Sequence, residues 1–271
     1  MVDDKFKHDL SWEEKAKQNP LYAVMSANET FAEKDADPTK WTKEDMEIFY
    51  QKGLMLFESF IRPVLLRADI KPGSFIVEYG SGLGTILKAV KAAGYDCAGI
   101  DISPTMLGYS RQVVPEVTKL YCLDDSGHTN MTSASADMVY SRAVIHHIKN
   151  LSRVQIAIAE MARVLKPGGY LKMHFRTLSN LPFSRVPLSQ RNRVVNSENK
   201  STIIHFATRP WLPVTLPVMG VVQHTNWLGV PLSIQNVKRF FKENGLEFLG
   251  LEKDIGGKQG FTWALARKVI A

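Results

Sequence analysis

From residue 71 onward, short apolar runs alternate with segments in which apolar residues return every three or four positions. The runs read as strands over 74–79, 97–101, 119–124, 137–142 and 170–176, and the periodic segments as helices over about 83–93, 104–113 and 151–165. Alternation of this kind predicts a parallel sheet with helices on both faces. Lys71-Pro-Gly turns the chain into the first strand, and Lys166-Pro-Gly-Gly closes the third helix with stop residues. Ser233 is an N-cap type for one more helix, ending at Asn244-Gly245, and strands over 247–254 and 262–269 close around a Gly-Gly turn.

The first 70 residues predict helices. Ser11 reads as an N-cap with Glu14 at N3, a capping box. A second helix starts near Thr42, with Met46, Phe49, Leu54, Leu56, Phe57 and Ile61 at near-helical spacing, until Pro63 bends or ends it. Residues 177–232 break the rhythm and hold six of the 13 prolines. Structureless loops of that length are uncommon. Ile203, Ile204, Phe206, Trp211, Leu212, Val214, Leu216 and Val218 are also too apolar for a free loop. An inserted lid or interface segment is therefore expected, and with it a homodimer.

One turn carries candidate chemistry. Residues 76–84 read Ile-Val-Glu-Tyr-Gly-Ser-Gly-Leu-Gly, and Asp101 closes the next strand. Glycines there let a ligand approach the backbone, and free N–H groups at the following helix start could hold an anionic group. The spacing is G-x-G-x-G, without the sixth-position glycine of the dinucleotide fingerprint; Thr85 stands there. With an acid at Glu78 ahead of the glycines, these details favour S-adenosylmethionine over a nicotinamide cofactor.

Composition narrows the class. The chain has 271 residues, enough for one large domain or one domain with an appendage, and is 45% hydrophobic. It has no apolar run of transmembrane length and no apolar signal core at its polar N-terminus. Cys97 and Cys122 both fall in predicted strands and read as reduced core residues of a cytoplasmic protein. The net charge of +7 is uneven: residues 1–70 carry 10 Lys+Arg against 14 Asp+Glu, whereas 177–232 carry five basic residues against Glu198. A basic segment can attract a small anionic substrate or be an ordinary solvated face. Without a dense Lys/Arg run or an aromatic-basic repeat, it lacks a nucleic-acid footprint.

Four ordered segments, Val-Glu-Tyr-Gly-Ser-Gly-Leu-Gly (77–84), Gly-Ile-Asp-Ile-Ser-Pro-Thr-Met-Leu (99–107), Ala-Asp-Met-Val-Tyr-Ser-Arg-Ala-Val-Ile-His-His-Ile (136–148) and Arg-Val-Leu-Lys-Pro-Gly-Gly-Tyr-Leu (163–171), resemble the class I S-adenosylmethionine-dependent methyltransferases, small-molecule type. The resemblance covers roughly 73–176 and 233–270. It implies an α/β, doubly wound, seven-stranded and mostly parallel sheet in the order 3-2-1-4-5-7-6, with strand 7 antiparallel. The division that follows is a helical N-terminal cap over 1–70, a Rossmann-like domain over 71–176 and 233–271, and the insertion over 177–232.

The same resemblance implies a cofactor site at the strand mouth, where strand order reverses. Glu78 would hold the ammonium group, and Gly80, Ser81, Gly82 and Gly84 the carboxylate or sugar edge. Asp101 would accept the ribose hydroxyls, Ile102 and Met106 would pack on adenine, and Asp124 or Asp125 would receive its amino group. Ser141, beside Arg142, would lie near the methionyl part, and Tyr22 could stack near the sulfonium. Blander roles stay open: a ligand-free turn for the glycines, a cap for Asp101 (with Ser103 the better cap), loop solvation for Asp124 and Asp125, and plain core for Met106 and Tyr22. Methyl transfer is an in-line displacement, so orientation dominates, and a base is needed only for a protonated nucleophile. His146, His147 and His174 are the candidate bases, with a buried structural role the alternative for His174. Arg176, His205 and His224 are candidate acceptor-binding residues, with Arg185, Arg191 and Arg193 as further anion clamps or surface residues. No metal site is expected. The expected activity is O-methylation of an acidic or hydroxylated small molecule, with RNA or protein methylation, a nicotinamide-dependent oxidoreductase and a non-catalytic binder as alternatives.

Overall fold

In the computed structural model, residues 10–18, 37–177, 229–254 and 261–270 are described. Tyr22, Arg185, Arg191, Arg193, His205, His224 and the apolar 203–218 stretch lie outside them.

Helix α1 spans Leu10–Gln18, α2 Lys43–Leu56 and α3 Arg62–Arg67, and a π turn over Phe57–Ile61 joins α2 to α3. Ser11 is therefore inside the first turn of α1 rather than its cap. Thr42 caps α2 in a reciprocal box with Asp45. Pro63 does not stop the helix. The wide turn ahead of it relieves the clash that its ring would make one turn back, and Pro63 sits in the first turn of α3 where no N–H is needed.

The remaining elements are β1 Phe75–Tyr79, α4 Thr85–Ala92, β2 Asp96–Asp101, α5 Pro104–Val113, β3 Lys119–Cys122, β4 Ala136–Ser141, α6 Leu151–Val164, β5 Leu165–Arg176, α7 Ile234–Glu243, β6 Leu246–Lys253 and β7 Phe261–Lys268. The strands form one sheet in the order β3-β2-β1-β4-β5-β7-β6. β1 to β5 run parallel, and β7 is antiparallel to both β5 and β6. The expected order and the antiparallel seventh strand are both present. Ser103 and Ser233 cap α5 and α7 through their hydroxyls.

Alternation along the strands sends residues to two separate cores. Ile76, Cys97, Met138, Tyr140 and Trp263 pack under α2, α3, α4 and α5. Val77, Tyr79, Ala98, Ile100, Val139, Leu171, Met173, Phe175, Ala264 and Ala266 pack under α6 and α7. These are face one and face two below.

Two expectations are corrected. Cys122 is exposed, at the end of the edge strand β3, and only Cys97 is buried; an edge strand has no neighbour on one side to cover it. Lys166-Pro-Gly-Gly does not stand outside the last parallel strand, because β5 begins at Leu165. Its ladder runs Ala136↔Leu165 and then Met138↔Tyr170 across a register shift. Gly168 takes φ +81, and a Cβ at Gly169 would meet the carbonyl oxygens of Lys166 and Asp137 at 3.0 and 3.1 Å, so the glycines let the strand bulge and rejoin its partner.

Candidate active site

The glycine loop follows β1 at the carboxyl edge of the sheet. Gly80, Gly82 and Gly84 have φ of +79, +52 and +80, the region that a side chain resists. Their loop is tied to the end of β2. Gly80 and Ser81 N–H donate to Ile100 O at 2.7 and 2.9 Å, Gly84 N–H donates to Ser81 O at 2.9 Å, and Gly82 N–H donates to Asp101 Oδ2 at 2.8 Å. These four loop N–H groups are thus spent within the protein. A Cβ on Gly80 would also come within 2.1 Å of Val144, so the protein's own packing requires that glycine.

Asp101 joins the two loops: Oδ1 accepts from Ser103 N–H at 2.9 Å while Oδ2 holds Gly82. Burial pushes its carboxyl up, opposed by these backbone bonds. Glu78 is buried and accepts a 3.1 Å hydrogen bond from the Tyr140 hydroxyl; burial raises its carboxyl to about 8, with Tyr140 and Arg142 pulling it back. Ser81 Oγ and Thr85 Oγ1 are buried beside the loop without a hydrogen-bond partner among the described residues. Met106 is buried in the face-one core, and Ile102 packs on the other.

The mouth is bordered by α1. Glu13 accepts from the Ser103 and Thr105 hydroxyls and from Thr105 N–H, which places its carboxylate at the start of α5. Sequence reading missed Glu13, because a contact made 90 residues along the chain leaves no local signal. Asp124 engages its own turn: Oδ1 accepts from Ser126 N–H, the Ser126 hydroxyl and His128 N–H. Asp125 is exposed.

The other half of the site lies past β4 and at the end of β5. Ser141 pairs with Met173 in the ladder, so Arg142 and His174 follow side by side. A turn over Ile145–His147 then brings three imidazoles together. His146 lies 4.1 Å from His147 and 5.8 Å from His174, ring centre to ring centre. Trp12 meets His147 edge-on at 4.9 Å, and Phe261 packs against His146 at 4.9 Å and His174 at 5.4 Å. His174 Nε2 is 3.5 Å from Asp254 Oδ2. Arg176 Nη2 donates to Gly229 O at 2.8 Å, and Gly229 N–H donates to His146 O at 2.6 Å, so residues 229–232 lace the site's two strands' ends together.

Asp254 was also unforeseen. The ladder passes from Phe248↔Ala266 to Gly250↔Leu265, and this bulge shifts the alternation by one residue. Glu252 and Asp254 thereby turn to face one, where Glu252 accepts from Lys172 Nζ at 2.6 Å and Asp254 meets His174. The available signal was a glycine inside a predicted strand.

Burial dominates the electrostatics. It holds His146 down at about 2, helped by His147 and His174, and it lowers His174, which Asp254 partly restores. Arg142 lies 5.9 Å over the Phe60 ring, and burial lowers both Arg142 and Arg176. Among the described residues, Ser141 Oγ, Arg142 Nε, His146 Nδ1, both ring nitrogens of His174 and Arg176 Nε are buried without a hydrogen-bond partner. Among the described residues, no cluster of three or more His, Cys, Asp or Glu is suited to a metal, and no helix is long and apolar enough to cross a membrane.

Residues 77–173 match the family described as a methyltransferase domain. The ubiquinone/menaquinone biosynthesis C-methyltransferase of Ralstonia nicotianae is 28% identical over 155 residues, covering 55% of this chain and 56% of that protein. The protein named "Probable tRNA methyltransferase 9B" of Mus musculus is 34% identical over 106 residues, covering 39% of this chain and 22% of that protein. The chain thus matches less than two thirds of either relative. In structure, it resembles an S-adenosylmethionine-dependent methyltransferase of Methanosarcina mazei with a TM-score of 0.54 at 14% identity, over 76% of this chain and 98% of that one. Residues 77–173 thus carry a methyltransferase domain, on the fold of the class I S-adenosylmethionine-dependent methyltransferases, a class whose cofactor is S-adenosylmethionine.

Proposed function

We propose that the chain methylates an oxygen of a small acidic or hydroxylated molecule. The observation that carries this reading is the convergence of His146, His147, His174, Arg142 and Arg176 at the ends of β4 and β5, beside the glycine loop of β1. S-adenosylmethionine, when bound, supplies an electrophilic methyl on a cationic sulfur. The residues present suit it: Asp101 for vicinal hydroxyls, Glu78 for the ammonium group, and the buried Ser81 and Thr85 hydroxyls as further hydrogen-bonding groups. The chain's own contribution is orientation.

A hydroxyl acceptor must lose its proton during transfer, and a neutral imidazole can take it. His146, held at about 2, is too weak a base and serves to shape the site. His174 is better placed, because Asp254 can orient the ring and stabilise its protonated form. A carboxylate acceptor needs no base, and the two guanidinium groups would steer it.

The Ralstonia relative is named as a C-methyltransferase and the mouse relative as a tRNA methyltransferase, so carbon and RNA acceptors are the competing readings. Methyl-labelled S-adenosylmethionine offered with a small-molecule metabolite fraction or with total tRNA separates them. We expect label in small acidic or phenolic products, released by alkali where an ester has formed. Label confined to tRNA, with binding that falls steeply with salt, would contradict the reading, as would label only at carbon.

A further inference from the structure

We infer that Arg142 and Arg176 form a subsite for a carboxylate of the methyl acceptor, an inference that rests on the methyl-transfer reading of the same mouth. Nine buried side-chain nitrogen and oxygen atoms lack a hydrogen-bond partner among the described residues. Six belong to Ser141, Arg142, His146, His174 and Arg176, all at the ends of β4 and β5 or in the turn between them. The two guanidinium Nε–H groups can only donate, so only an acceptor atom can satisfy them.

Four other cations of this fold have carboxylates. Lys172 pairs with Glu252, Arg163 with Glu160, Lys88 with Glu116 and Lys166 with Asp137. Arg142 and Arg176 have no ion pair among the described residues. Lys52 adds a third positive charge near Arg142, and burial together with that neighbour lowers it. Two guanidinium groups with unspent Nε donors, with a third positive charge near one of them, call for an anion, and the planar guanidinium fork matches a carboxylate.

The position separates this anion from the cofactor's own carboxylate. β5 is two strands from β1, roughly 10 Å at ordinary strand spacing. The glycine loop and Glu78 serve one amino-acid head group; Arg176 lies beyond its reach. The carboxylate held there belongs to the second substrate.

The test is a titration of the full chain, saturated with S-adenosylhomocysteine, with succinate, benzoate, succinamide and inorganic phosphate, followed by thermal shift and calorimetry. Expected are stabilisation by at least one of the two carboxylates, none by succinamide or phosphate, and an affinity loss of about ten- to a hundredfold in Arg142→Gln and in Arg176→Gln. S-adenosylhomocysteine affinity should be unchanged in Arg176→Gln, two strands away from β1. Arg142→Lys and Arg176→Lys keep the charge and serve if the glutamine variants fail to fold; losing the fork should still weaken carboxylate binding. Three results would overturn the inference: no response to either carboxylate, a response to phosphate alone, or a parallel loss of S-adenosylhomocysteine binding in Arg176→Gln, which would assign that arginine to the cofactor. If S-adenosylhomocysteine does not bind the wild type, the methyl-transfer reading falls. The carboxylate titrations on protein alone then still decide the subsite, by their dependence on the two arginines.

Discussion

The fold treats charge shielded from water in two opposite ways. Behind face two, the fully buried Glu160 accepts five hydrogen bonds: from Thr129 N–H and hydroxyl, His128 Nδ1, and Arg163 Nε and Nη2. That carboxyl is held down at about 2, because these donors outweigh its burial. At the face-one mouth, the buried Nε atoms of the half-buried Arg142 and Arg176 and Nδ1 of the buried His174 have no hydrogen-bond partner among the described residues. A saturated buried charge serves the fold. An unsaturated one is a standing free-energy penalty that packing elsewhere must offset, and such penalties mark places kept for a ligand.

The sharpest contrast is in packing against pairing. Phe241→Ala removes a buried face-two ring and should destabilise the protein by about 3–5 kcal/mol in urea unfolding. The S-adenosylhomocysteine affinity of the folded variant should be unchanged; a fall would show that the faces are not separable. Next comes Glu160→Gln, which leaves Arg163 without its carboxylate and should cost about 3 kcal/mol. The pH dependence has a definite sign. The folded carboxyl sits at about 2, below its ordinary 4.5, so its stabilisation is complete above roughly pH 4.5 and is lost as pH falls toward 2. The variant's unfolding midpoint should fall less steeply across that window, and identical slopes would remove Glu160 from the account.

The matching change on face one should run the other way. Arg142→Met replaces a half-buried cation, without an ion pair among the described residues, by an apolar chain of similar reach, and stability should hold or rise by about 1 kcal/mol. A loss as large as that of Glu160→Gln would mean that Arg142 is structural. The smallest effect is expected from Asp254→Asn. Asp254 raises the His174 imidazole against burial, so its removal should push the His174 titration still lower, as followed by NMR of the ring, with a stability change under about 1 kcal/mol. A His174 titration that does not move would refute the pairing.

The sheet was legible because its signals are local. Apolar runs, Ser103 and Ser233 as caps, and the strand order implied by the motif resemblance all reappear in the structure. The meeting of His146, His147 and His174 was also readable, since each ends a predicted strand or follows one. What escaped depends on pairing and long-range contact. Asp254 reaches face one only through the β6 bulge, and Glu13 reaches α5 across 90 residues. Cys122 looked like core because strand type is visible in a sequence and edge position is not. Lys166-Pro-Gly-Gly read as a stop because glycine and proline signal an irregularity without saying whether it is a turn or a bulge.

The central claim is that the loop at Gly80–Gly84 and Asp101 hold S-adenosylmethionine. The direct measurement is the melting temperature of the wild type and of Asp101→Ala with and without S-adenosylhomocysteine. At about 100 times its dissociation constant, the ligand adds about 2.7 kcal/mol, a rise of roughly 5–10 °C for a chain of this size. Asp101→Ala should weaken binding about ten- to a hundredfold and remove most of that rise. A wild type that does not respond, or a variant that responds equally, would contradict the account.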